Sequence, residues 1–110
     1  MGICSNWDWD LDRHLERTGI AEHVDFVVCS AIHGYRKPHP AIFDTVVARV
    51  EASPESILFV GDSWGDDIDG ARAAGLRPVH IARQGSCPAI DVAHDDVPCV
   101  PDARAVLDLI

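Results

Sequence analysis

Asp62 stands directly after an apolar run and a glycine, in VGDSWGDD from Val60 to Asp67. Lys37 opens KPHPAIF, and Ser5 with Asn6 closes a second apolar run, ICSN. A carboxylate, an ammonium and a hydroxyl thus each lie just beyond an apolar stretch or in the loop that follows one. Immediately after Asn6, the acids Asp8, Asp10 and Asp12 alternate in WDWDLD. A D-x-D at the end of an apolar strand is what an aspartate-based phosphoryl-transfer enzyme uses as nucleophile and acid/base. The question is whether these acids do that work here.

The elements that must position these groups alternate between short apolar runs and helical patterns. Gly2–Ser5 reads as a strand. Leu11–Thr18 carries Leu11 and Leu15 at helical spacing and stops at Gly19. DFVVCS, Asp25–Ser30, is a buried-type strand. Pro40–Ala52 is the clearest helix: Pro40 suits its first turn, and Ile42, Phe43, Val46, Val47 and Val50 form one apolar face. ILFV, Ile57–Val60, is continuously apolar, as in a parallel strand covered on both faces. A helix is expected over Asp66–Ala74, ending at Gly75, and a strand over Pro78–Ala82. Gln84–Pro101 reads as irregular. Asp102 is expected to cap a last helix running through Leu109.

Crossovers of this length imply right-handed parallel units. In such sheets the ligand site lies beyond the carboxyl ends of the strands. Ser5 and Asn6, Lys37, and Asp62 meet that rule from three different strands. Taken singly, Ser5 suits a strand-end hydroxyl bonded to backbone, Lys37 a solvated loop charge, and Asp66 and Asp67 helix-start acids. Asp62 is the residue whose functional reading stands without help.

In this order the residues resemble the haloacid dehalogenase (HAD) superfamily of aspartate-nucleophile hydrolases. ICSN is similar to its second motif, KPHPAIF to its third, and VGDSWGDD, with G-D-x-x-x-x-D spacing, to its fourth. The resemblance covers nearly the whole chain and implies Mg²⁺ as cofactor and a small phosphorylated substrate. It implies phosphate-binding roles for Ser5, Asn6 and Lys37, because a transferring phosphoryl group spreads negative charge over its oxygens. Lys37 and Asp62 would be the catalytic residues, and Asp62 and Asp67 the metal-site acids. Asp67 would hold either a Mg²⁺-bound water or the Lys37 ammonium. The GD of the fourth motif favours the phosphatase branch over the dehalogenase branch.

In the resembled family the nucleophile stands in a first motif, four apolar residues followed by D-x-D-x-T/V, on the central strand. Asp8 and Asp10 do not fit it. They follow Ser5-Asn6-Trp7 rather than an apolar strand, and neither Leu11 nor Asp12 supplies the Thr/Val. They read as loop and helix-start acids, with Asp10 as an N-cap. No other segment offers the motif. The expectation is a single partial HAD-like core domain over residues 1–110. Its fold is α/β, a three-layer α/β/α sandwich with a parallel sheet that lacks its central first strand. The two facing sheet edges would be unpaired, an aggregation liability.

Two functional expectations follow. One is a Mg²⁺-dependent phosphatase working through an aspartyl-phosphate intermediate, here truncated and inactive alone. The other is a non-catalytic module that needs a complementing N-terminal segment, pairs with a partner strand or self-associates. A response-regulator receiver domain fails on order, since its lysine follows its acids whereas Lys37 precedes Asp62.

The composition agrees. The length of 110 residues suits one domain. A net charge of −9 argues against nucleic acid and anionic membranes, which need Lys/Arg surfaces. A cytoplasmic location is expected, since no signal peptide or spanning run is visible. Cys4, Cys29, Cys87 and Cys99 form no C-x-x-C and read as small buried hydrophobes in a reducing compartment. The six histidines show no ligand spacing and read as surface or strand residues. Trp7, Trp9 and Trp64 fall on loops at the expected rim, where they would line a substrate pocket or pack on a neighbouring domain.

Overall fold

The computed structural model describes residues 1–6, 11–19, 22, 25–82 and 96–109. Strand β1 (Gly2–Ser5) pairs in parallel with β2 (Phe26–Cys29), setting Gly2 beside Phe26 and Ser5 beside Cys29. Helix α1 (Leu11–Thr18) is the crossover between them and buries Leu15 against Cys29. It ends at Gly19, whose φ of 79° is left-handed and favours glycine. A short helix α2 (Ser30–His33) follows β2 directly. The expected strand Asp25–Ser30 is therefore trimmed at both ends.

Helix α3 (Pro40–Val50) matches the clearest expectation, with Pro40 in its first turn. The His39 imidazole takes the cap position, its Nδ1 accepting from the Ala41 N–H at 3.0 Å. Ile42, Phe43 and Val46 are buried as the apolar spacing required. They join Val28, Phe59 and Ala71 in the main core, where the Phe43 and Phe59 rings sit 5.2 Å apart.

β3 (Leu58–Gly61), β4 (Arg77–Ile81) and β5 (Cys99–Val100) form a second parallel sheet in that order. Its register sets Gly61 beside His80 and His80 beside Cys99. The architecture is the expected α/β one, with parallel strands and connecting helices. The strands divide into two sheets, β1-β2 and β3-β4-β5. Between β1 and β3 lies a groove of about 620 Å³, lined by Ile3, Cys4, Phe26, Val46, Leu58 and Phe59 among others. Among the described residues no strand lies between them, and both present an edge to it.

Four expectations need correction. The helix expected from Asp66 begins earlier and is wider: Trp64–Asp69 is π-helical, and only then does α4 (Gly70–Ala73) follow. The cause is local, because the Ser63 carbonyl accepts from both the Asp67 N–H at 3.0 Å and the Ile68 N–H at 3.1 Å. The stretch Gln84–Pro101 is not wholly irregular, since Cys99–Val100 pairs with β4. A two-residue strand supported by its neighbour leaves little periodicity to detect. The last helix, Ala103–Leu109, is 3₁₀ rather than α, though Asp102 caps it as expected, its Oδ1 accepting from the Ala105 N–H at 3.1 Å. Finally, Cys99 is disulfide-bonded, whereas Cys4 and Cys29 are in no disulfide. The reading of all four as reduced hydrophobes fails for Cys99, because thiol pairing depends on where the tertiary course brings sulfurs together and not on C-x-x-C spacing. Cys87 lies outside the described residues, as do Trp7, Asp8, Trp9 and Asp10. No helix among the described residues is long and apolar enough to cross a membrane.

Candidate functional site

The carboxyl ends of β1 and β3 and the loop after α2 meet at one rim. Asn6, just past β1, grips the backbone of Lys37 from both sides. Its Oδ1 accepts from the Lys37 N–H at 2.7 Å, and its Nδ2 donates to the Lys37 carbonyl at 3.2 Å. A side-chain amide suits this, because it offers one acceptor and one donor at the spacing of a peptide group. The strand end thereby fixes the loop that carries the ammonium.

The Lys37 Nζ donates to Asp67 Oδ1 at 2.5 Å; Lys37 is half-buried and Asp67 buried, with side chains 12% and 6% exposed. The ammonium also lies 5.9 Å from the centre of the Phe59 ring on β3. A buried ion pair needs further hydrogen bonds to offset the lost hydration. Asp67 has one, since its Oδ2 accepts from the Ser63 N–H at 3.2 Å. In return the Ser63 Oγ accepts from the Asp66 N–H at 3.2 Å. This is a reciprocal cap in which the returning acid sits one residue later than usual, as the wider π turn demands. Gly61 makes room for it, because a Cβ there would collide with the Asp67 carboxylate. Cys4 of β1 lies beside the pair. Burial pushes its thiol up to about 11, against the opposing pull of the Lys37 charge.

Asp62 is exposed at the end of β3. Its carbonyl accepts from the Nε2 of the buried His80 at 3.2 Å. The Trp64 ring lies flat on that imidazole, with centres 4.0 Å apart and planes 9° from parallel. Ser5 is half-buried in register with Cys29, one residue before the Asn6 clamp.

The structure thus brings Asn6, Lys37 and Asp67 into direct contact and sets Asp62 one residue before the Ser63 cap that holds Asp67. It links Asp66 to that cap through its backbone N–H, in keeping with the helix-start role. It also adds His80, one of the histidines expected on the surface or in a strand, which stands on β4. The available signal was a single histidine inside the otherwise apolar PVHIA. A polar residue in a buried strand requires a partner.

Mg²⁺ is the cofactor that the family resemblance implies. Mg²⁺ uses one or two carboxylates and keeps several waters. The exposed Asp62 carboxylate fits that need. Asp67 has both oxygens engaged by donors and fits the role of lysine partner. Among the described residues no group of three or more His, Cys, Asp or Glu gathers as a closed protein cage. An ion there would keep most of its waters and take Asp62 as its protein ligand.

A model of the haloacid dehalogenase-like hydrolase family matches residues 1–75. A haloacid dehalogenase-like hydrolase domain-containing protein 3 of Bos taurus is 36% identical over 89% of this chain, which covers 38% of the relative. A glyceraldehyde 3-phosphate phosphatase of Methanopyrus kandleri is 37% identical over 87% of the chain, covering 42% of that protein. The crystal structure of a HAD phosphatase from Thermococcus onnurineus superposes with a TM-score of 0.85 at 25% identity, over 98% of this chain and 48% of its own. The chain thus spans less than half the length of these relatives.

Proposed function

The chain belongs to the haloacid dehalogenase-like hydrolase family, and on that premise we propose that it is the phosphate- and cation-binding part of a phosphatase acting on small phosphate esters. The observation that carries the reading is the Asn6–Lys37–Asp67 chain of contacts beside the exposed Asp62. In this reading Lys37 neutralises charge on the transferring phosphoryl oxygens, held in place by Asp67 and by the Asn6 grip on its backbone. The Ser5 hydroxyl donates to a second phosphoryl oxygen. Asp62 holds Mg²⁺, which supplies further positive charge to the phosphoryl group.

The attacking carboxylate would arrive on a strand seated between β1 and β3. Its oxygen bonds to phosphorus as the ester P–O bond breaks, and the alcohol leaves with a proton from the second Asp of the incoming D-x-D; that carboxylate then takes a proton from water as the water attacks phosphorus, releasing inorganic phosphate and the free first Asp. The groove supports this, since an edge strand from each of the two sheets lines it. The same groove also favours a second reading, a module that pairs with a partner strand and does no chemistry.

One experiment separates the two. The chain would be mixed with Mg²⁺, an aryl phosphate and a synthetic peptide of four apolar residues followed by D-x-D-x-T. The catalytic reading expects no turnover from the chain alone, turnover with the peptide, and none when the first Asp of the peptide is Asn. Peptide binding without turnover would support the non-catalytic module. Turnover by the chain alone that Asp62→Ala abolishes would refute the need for an incoming acid.

A further inference from the structure

His80 sits in the middle strand of the second sheet, flanked in register by Gly61 on one side and Cys99 on the other. It is 5% exposed, and an imidazole buried this deeply needs a partner for its ring N–H. Here Nε2 lies 3.2 Å from the Asp62 carbonyl, and Nδ1 lies 3.4 Å from the Sγ of the disulfide-bonded Cys99, which has no S–H to donate. A carbonyl can only accept, so Nε2 carries the proton. One face of the ring is covered by Trp64. The backbone N–H of His80 donates to the Pro98 carbonyl at 2.9 Å, which ties the residue to the strand beyond.

We propose that His80 is a positioning residue for Asp62: it holds the Asp62 carbonyl by a hydrogen bond and Trp64 by stacking, and so fixes the backbone from which the Asp62 carboxylate projects. The two contacts grip the rim on both sides of Ser63, the residue whose N–H and Oγ order Asp67 and Asp66. One side chain thereby sets the direction of the exposed carboxylate and steadies the cap that holds the partner of Lys37. An alkyl side chain in the same strand position would fill the space but leave the Asp62 carbonyl without this donor. The functional part of the proposal rests on Asp62 being the cation ligand. The geometric part does not.

The test uses the full chain in solution and reads geometry and cation binding separately. In the wild type, the ¹⁵N shifts of His80 should show the Nε2-protonated tautomer, with that proton slow to exchange. His80→Phe keeps a ring against Trp64 but has no donor. It is expected to move the Asp62 carbonyl ¹³C resonance and to weaken Mg²⁺ binding about tenfold, the usual cost of losing an outer hydrogen bond to a metal ligand. Mg²⁺ binding would be followed at the Asp62 side-chain carboxyl carbon. His80→Gln restores an N–H donor without the ring and should recover most of both effects.

A wild type with the proton on Nδ1 overturns the proposal. So does a His80→Phe variant with an unmoved carbonyl resonance, or a His80→Gln variant no better than His80→Phe. If the wild type shows no Mg²⁺ response while the resonances follow the donor, Asp62 is positioned as described and its assignment as cation ligand fails. Should His80→Phe not fold, the wild-type tautomer and His80→Gln still decide the question.

Discussion

At the residue scale the site is a chain of committed side chains. Asn6 spends its amide on the Lys37 backbone, and Asp67 spends both oxygens on Lys37 and Ser63. Removing one member of a buried pair leaves the other charge without compensation. Asp67→Asn is therefore expected to cost about 3 kcal/mol of folding stability. A urea midpoint equal to wild type would show that the pair contributes nothing. Cys4 gives a second expectation. Its thiol is raised from the ordinary 9.0 to about 11 by burial, so at pH 8 far less of it is thiolate. The thiolate is the reactive form, and alkylation of Cys4 in the folded chain should run roughly 100-fold slower than that of an unhindered cysteine. Mass spectrometry of the peptide carrying Cys4 reads this directly, and rapid labelling at pH 8 would contradict it.

At the element scale the π-helical turn decides how the fourth motif works. An α-turn after Ser63 would return the residue at position 66 to the cap. The wider turn returns Asp67 instead, whose other oxygen then reaches Lys37. Close approach of this carboxylate to β3 depends on Gly61, where any side chain would collide with it. Gly61→Ala is expected to destabilise by about 2 kcal/mol through overpacking. It should also change the Lys37 side-chain resonances, since Asp67 must retreat. Unchanged Lys37 signals in a stable Gly61→Ala protein would show that the strand yields instead. A neighbouring glycine acts likewise between helices: a Cβ on Gly70 of α4 would enter the Phe43 ring of α3.

At the scale of the whole molecule the governing feature is the groove between two parallel sheets. Open strand edges with unpaired N–H and C=O groups are templates for another strand. An apolar peptide that seats there binds only the folded state. Present at 100 times its dissociation constant, it should add about 2.7 kcal/mol of stability. The urea midpoint with and without peptide measures this, and a scrambled peptide with charged residues in place of the apolar run should have no effect. Equal stabilisation by both peptides would place binding elsewhere. The net charge of −9 sets the opposite expectation for nucleic acid, which should not alter the midpoint at physiological salt.

Much of this was legible in the sequence, and the reason is spacing. Apolar runs placed β1 and β3, the Ile42/Phe43/Val46 face placed α3, and the polar residues just beyond the runs pointed to the rim. These signals are local, each set by a few neighbouring residues. The tertiary structure alone decided what the polar atoms do once they arrive. Asn6 and Lys37 are far apart in the chain, as are Asp62 and His80, and the sulfur beside His80 lies on a strand too short to show a period. Such contacts depend on which strands become neighbours and in what register. Hydrogen-bond partners across a sheet are fixed by that register, and a run of apolar residues reads the same whether its neighbour is present, shifted or missing.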